Sequence, residues 1–246
     1  MTQANLPIVG SLRNRIRSLY HRAWVLPRVS NNYKKLSTAE AFQRIYAANA
    51  WGSDQAQGFS SGKGSRGVIA DQYCSWLIGF IREKGFRSVV DLGCGDFYVG
   101  SRIANETSVA YSGIDIVPEV IEHHRRMFAR EGVAFECLDL IADPLPIADV
   151  CLVRQVFQHL SNAEIAAALV NIAHYPFALI SEHVAREPRV FNRDQSHGPQ
   201  VRSTYGSGVY LDRPPFSRNI LEEWHVPVDS ESVIRTVLIG EETRAA

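Results

Sequence analysis

The chain has 246 residues, 46% hydrophobic and 21% charged, with 26 basic against 26 acidic side chains. That length suits one main domain with an appendage and argues against a second large fold. The even charge balance excludes an overall field that would recruit nucleic acid or an acidic partner.

The four cysteines, Cys74, Cys94, Cys137 and Cys151, form no CxxC pair, so neither a disulfide framework nor a zinc cluster is expected. The N-terminal stretch lacks the apolar core of a signal peptide, and no run approaches about 18 uninterrupted apolar residues. The expectation is a cytoplasmic protein.

Residues 1–36 form a basic arm: Arg13, Arg15, Arg17, Arg22, Arg28, Lys34 and Lys35 all precede the first acidic residue, Glu40. Ile16, Leu19, Tyr20, Ala23 and Trp24 recur among these charges at helical spacing. Such a segment could lie peripherally on an anionic membrane surface, or pack on its own domain or on a second subunit of a homodimer.

Residues 37–87 read as a helical and Gly/Ser-rich unit. A helix is predicted in TAEAFQRIYAANA, with Ser37 or Thr38 as its N-cap, and another from about Val68 to Lys84. Between them WGSDQAQGFSSGKGSRG has no apolar period, which predicts a loop, either a linker or an ordered cover over a site.

From Ser88 onward the pattern alternates. Strands are predicted at SVVDLG, AYSGIDI, VAFECLDL, ADVCLVRQV and FALISEH, and helices near Gly100 to Asn105, in PEVIEHHRRMFARE and in AEIAAALVNIAH. This order implies right-handed βαβ units and an α/β fold with a mostly parallel sheet covered on both faces. A polar, Gly- and Pro-punctuated segment near 186–216 precedes two closing strands, around Glu223 to Val228 and Val233 to Ile239.

Ligands of such sheets lie outside the carboxyl ends of the strands. The first three strands end in Asp91-Leu92-Gly93-Cys94-Gly95-Asp96, in Asp115 and in Asp139. A nicotinamide dinucleotide would call for GxGxxG, yet Tyr98 stands at the third glycine, and Asp91 would repel a pyrophosphate at short range. A carboxylate there suits a ligand carrying positive charge, as S-adenosylmethionine does with its sulfonium and α-amino group. Asp115, about 20 residues after Gly93, is placed to accept from two ribose hydroxyls, and Asp139 could accept from an adenine amine. Singly, each aspartate could equally cap a helix or turn.

With these residues in hand, VVDLGCGD, GIDIV, the acidic end of the third strand and RQVFQHLS after the fourth resemble class I S-adenosylmethionine-dependent methyltransferases, over about Val89 to Glu182. The resemblance implies a Rossmann-like, doubly wound, seven-stranded sheet with an N-terminal helical extension, residues 88–246 being the methyltransferase domain. It places Asp91, Gly93, Cys94 and Gly95 beside the methionine moiety, Asp115 and Ile116 at the ribose, Asp139 and Leu140 at the adenine, and Gln155 on the methionine side. More narrowly, FQRIYAANAWG, SSGKGS, DLGCGDF, VRQVFQHL and GVYLDRPPF are similar to bacterial methyltransferases met beside genes of surface-polysaccharide and glycan synthesis. That likeness implies a cofactor cover and adds Tyr46, Trp51, Ser61, Gly62, Gly64 and Ser65 as cofactor contacts. Arg154-Gln155 stands where this group commonly has Arg-Asp, and GVYLDRPPF where Asn-Leu more usually precedes the Pro-Phe.

The expected function is O-methylation of a saccharide or related small polar metabolite, a small-molecule or glycan acceptor rather than nucleic acid. RNA or protein methylation and a non-catalytic cofactor-binding role are the alternatives. A sugar hydroxyl profits from a base, and His159 and His183 follow or end strands at the right edge. His123 and His124 read as solvated on a helix. No metal is expected, although Glu182, His183 and a late-loop residue could meet in space. The late segment offers Arg189, Arg193, Arg202, Tyr205, Tyr210 and Asp212 to a polar acceptor.

Overall fold

A computed structural model describes residues 32–52 and 59–240. Nearly all of the basic arm, and residues 53–58 of the cover, lie outside the described residues. Twelve regular elements run along the rest: α1 (Thr38–Ala47), α2 (Val68–Lys84), β1 (Ser88–Leu92), α3 (Tyr98–Glu106), β2 (Ala110–Asp115), α4 (Pro118–Phe128), β3 (Val133–Cys137), β4 (Val150–Arg154), α5 (Asn162–Asn171), β5 (Phe177–Ala185), β6 (Glu222–Pro227) and β7 (Ser232–Gly240).

The helix ends follow from local chemistry. Ser37 and Glu40 form a capping box at α1, as Ser161 and Glu164 do at α5, each satisfying two amides that the first turn would otherwise leave bare. Pro118 opens α4, where its missing N–H costs nothing. Gly85 closes α2 in the left-handed conformation, φ 69°.

The strands form one seven-stranded sheet in the order β3-β2-β1-β4-β5-β7-β6. β3 through β5 are mutually parallel, while β7 runs antiparallel to both β5 and β6. Because successive strand side chains point to opposite faces, the apolar residues of each strand feed two cores. Val90, Leu92, Val153 and Ile180 pack on one side, and Val89, Leu152, Leu179 and Leu238 on the other. The chain leaves β1 for β2 and β3 on one flank and returns to β4 on the other, which opens a crevice above β1 and β4.

Two side chains expected at the surface are buried. His124 is 2% exposed and sits among Phe97, Phe128 and Phe135, and Arg202 is 1% exposed. Arg202 donates to the Leu160 carbonyl and to Asn162 Oδ1, tying the late segment to the start of α5, so it is part of the fold rather than a contact for an acceptor. No helix of the described residues is long and apolar enough to cross a membrane.

Candidate active site

The crevice holds a cavity with about 1020 Å³ of empty space, part of it continuous with solvent. Its floor is the loop after β1. Gly93 and Gly95 both take positive φ, 78° and 55°. A side chain at either would collide with its surroundings: a Cβ on Gly93 would lie 2.4 Å from Val156 Cγ2, and one on Gly95 2.3 Å from Ser61 Oγ. The two glycines therefore let the loop turn sharply while the segments holding Val156 and Ser61 close over it.

Carboxylates run along this floor. Asp91 accepts a 2.7 Å hydrogen bond from Tyr111 Oη, and burial pushes its carboxyl up to about 6 against the pull of Tyr111 and Arg154. Asp115 accepts from the amides of Gly95 and Val117, each at 3.1 Å, and burial likewise pushes it up to about 6. Asp139 lies two residues beyond the end of β3, in a turn where its Oδ1 accepts from the Ile141 amide; burial raises its carboxyl too. The neighbouring Cys94 thiol is held well above its ordinary range by burial and by Asp115, so it is an inert part of the wall.

The cover descends from above. Tyr46 Oη pairs with Ser61 Oγ at 3.0 Å, and Trp51 packs edge-on to Tyr46 and tilted over His159 at 4.8 Å. Trp51 Nε1 donates to the Pro199 carbonyl, which joins the late segment to the cover. The strongest tie is Asp96, to which the sequence had given no role. Its buried carboxylate accepts from Ser65 Oγ at 3.1 Å and Arg66 Nε at 3.0 Å, and from the Tyr98 amide at 3.2 Å, while its own amide donates to Ser61 Oγ at 2.8 Å. An acidic residue directly after the glycine loop, facing a Gly/Ser-rich cover, was the signal available for it.

Tyr46, Trp51, Ser61, Ser65, Asp91, Gly93, Cys94, Gly95, Asp115, Ile116, Asp139, Leu140, Gln155 and His159 all line this one cavity. Gly62 and Gly64 do not. Gly62 lies against Trp51, and Gly64 is pressed on the Gln155 side chain while its carbonyl accepts from Arg154. They shape the cover, Gly62 through its positive φ of 93° and Gly64 through its close approach to the Gln155 side chain. Gln155 itself sits at φ 56° with a buried Nε2 that has no partner, a donor aimed at nothing in the protein.

The histidines divide. His159 is buried in the cavity wall, its Nδ1 donates to the Gly198 carbonyl at 3.1 Å, and its Nε2 lies 3.2 Å from Gln158 Nε2, from which it can only accept. Burial lowers it to about 4, so the ring is neutral and both nitrogens are engaged. It anchors Trp51 and the late segment instead of presenting a free base. His183 lines a second cavity, because consecutive residues of β5 face opposite sides of the sheet. Glu182, on the other face, accepts from the amides of Phe157 and Gln158 at 2.8 and 3.0 Å, with burial pushing its carboxyl up to about 8. The two do not meet as a metal pair, and among the described residues no three His, Cys, Asp or Glu side chains are grouped to hold a metal ion.

Residues 89–175 match a family described as a methyltransferase domain. That stretch runs from β1 through the turn after α5. No curated protein matched the sequence. Solved structures share the fold at low identity. Human N-acetylserotonin methyltransferase in complex with SAM has a TM-score of 0.52 and 16% identity over 93% of this chain and 68% of its own. The N-methyltransferase NodS from Bradyrhizobium japonicum with S-adenosyl-L-homocysteine has 0.54 and 12% over 83% and 100%. The cyclase SpnF has 0.52 and 18% over 78% and 76%. A cyclase among them shows that this fold alone does not set the reaction.

Proposed function

We propose that this protein is an S-adenosylmethionine-dependent methyltransferase that methylates a hydroxyl of a saccharide or related small polar metabolite. The observation that carries the cofactor reading is the row of carboxylates, the buried Asp91 and Asp115 and the half-buried Asp139, along one cavity over the glycine loop. Two of them are held in apolar surroundings where burial works against their charge. A pyrophosphate would add anions to that row, whereas a ligand with an ammonium, a sulfonium and a ribose diol supplies the cations and donors it lacks. The unpartnered Gln155 Nε2 fits a carboxylate acceptor at the other end of the same ligand. Asp91 would hold the ammonium, Gly93 and Gly95 would let the methionine part lie against backbone, Asp115 would take the diol, and Asp139 with Leu140 the adenine.

When bound, the cofactor supplies a methyl group already activated by its sulfonium. The chain then has to align an acceptor and exclude water. Tyr46, Trp51, Phe42 and Leu160 close the cavity with apolar surface, and the bonds of Asp96 and Trp51 hold the cover in place. The polar segment near 186–216, joined to the cover through Pro199, supports a polar acceptor. The fold shared with a cyclase favours one second reading, a cofactor-binding protein that transfers no methyl group.

Calorimetric titration with S-adenosylmethionine, S-adenosylhomocysteine and NAD tests the cofactor. Saturable binding of NAD alone would overturn it. Mass spectrometry of glycan precursors incubated with methyl-labelled cofactor tests the acceptor, and a labelled RNA or protein with no labelled glycan would refute the saccharide reading.

A further inference from the structure

Beyond the carboxyl end of β5 lies the second cavity, lined by His183, Arg186, Arg189, Ser203, Asp229 and Ser232 among others. A continuous chain of hydrogen bonds forms part of its wall. Ser203 Oγ lies 3.3 Å from His183 Nδ1, His183 Nε2 lies 2.9 Å from Ser232 Oγ, and Ser232 Oγ lies 2.8 Å from Asp229 Oδ1.

The direction of every bond follows from the carboxylate. Asp229 is held below the usual carboxylate range by the Ser232 hydroxyl and by the Glu231 amide, so it is ionised and can only accept. The Ser232 proton points to it. Ser232 can then offer His183 only lone pairs, which puts the imidazole proton on Nε2. Burial opposes a second proton on the ring, although Asp229 favours it. The Nδ1 lone pair therefore faces Ser203, whose hydroxyl donates to it. The other charged groups around this cavity are Arg186, Glu187 and Arg189 on the segment after β5, and Glu231 on the β6–β7 turn. Neither guanidinium has an ion-pair partner among the described residues.

A hydroxyl on a neutral histidine that is itself oriented by a third group is the arrangement that turns serine into a nucleophile. We propose that Ser203 is an activated nucleophile and that this cavity is a second reactive site, one that cleaves small carboxylic esters independently of methyl transfer. Ser203 Oγ bonds to the ester carbonyl carbon as its proton passes to His183 Nδ1. The ester C–O bond then breaks, and the alcohol leaves with that proton. Water adds to the acyl carbon, giving a proton to Nδ1 that returns to Ser203 Oγ, and the carboxylic acid departs. Ester and water thus become acid and alcohol. Arg186 and Arg189 provide positive charge at the same cavity for the oxyanion that forms on the way.

The test is reaction of the full chain with a fluorophosphonate probe, mapped by peptide mass spectrometry, alongside hydrolysis of p-nitrophenyl acetate. One adduct is expected, at Ser203, absent in Ser203→Ala. In His183→Gln both rates should fall by roughly 10²-fold or more, the scale of a lost general base. Asp229→Asn should lower them less, and labelling should weaken as acid places a second proton on His183. Melting curves and S-adenosylhomocysteine titrations of the variants establish that they are folded. No adduct at Ser203 in the folded protein, or labelling of Ser203 as fast in His183→Gln as in the parent, would overturn the proposal.

Discussion

Replacing Asp96 by Ala should loosen the cover without touching the glycine loop itself. The carboxylate, 6% exposed, gathers Ser65 Oγ and Arg66 Nε from the cover and the Tyr98 amide from the first turn of α3. Hydrogen bonds to a charged group contribute about 1.5–3 kcal/mol each. The Arg66 share is smaller, since its side chain is 26% exposed and water takes over part of the pairing. Losing the acceptor for the Tyr98 amide costs about 1 kcal/mol, as a lost helix cap does. These terms share one carboxylate and do not add fully, so the expected loss is about 2–4 kcal/mol, or about 4–16 °C in melting temperature for a domain of this size. Asp96→Asn, which keeps one acceptor oxygen but no charge, should fall between the variant and the parent. Urea denaturation followed by circular dichroism gives the energy, and limited proteolysis within residues 59–67 reports release of the cover. A variant with the parent's melting temperature and cleavage rate would refute the reasoning.

Three further outcomes follow from the geometry. Gly100→Ala places a Cβ 2.1 Å from Tyr111 Oη, so it should push that hydroxyl off Asp91 and weaken S-adenosylhomocysteine binding by about tenfold, from α3 and without touching the cavity; unchanged affinity by calorimetry would count against the Asp91 role. Gly93→Ala should destabilise by about 1–3 kcal/mol through overpacking on Val156, and Val156→Ala in the same chain should restore part of it; a double variant no better than Gly93→Ala would show that strain at φ 78° dominates. For His159 the folded state disfavours the proton, so its contribution to stability is intact above pH 6.5 and lost as pH falls toward about 4. His159→Gln should flatten the stability profile across that window in denaturation series, and an equally steep profile would place the acid sensitivity elsewhere.

Much of this architecture is already present in local sequence. Alternating apolar strands and capped helices dictate a mostly parallel sheet, since each buried strand needs a helix on either face and a short right-handed return. The spacing of Asp91, Gly93, Gly95, Asp115 and Asp139 determines that strand ends carry carboxylates beside a tight loop, and that much of the candidate site is readable because the sheet converges strand ends on one edge. What local sequence cannot carry is which face a side chain takes and what it meets across the fold. His124 reads as solvated beside His123, yet one step around the helix turns it into an aromatic cage; Arg202 sits in a polar segment and ends fully buried. His183 looks equivalent to His159 at a strand end, but the two-residue period of β5 and the antiparallel β7 send it to another cavity, against Ser203 and Ser232. Asp96 shows the same division: its place after the glycines was written in the chain, whereas its hold on Ser65 and Arg66, about thirty residues earlier, exists only once the cover has folded down.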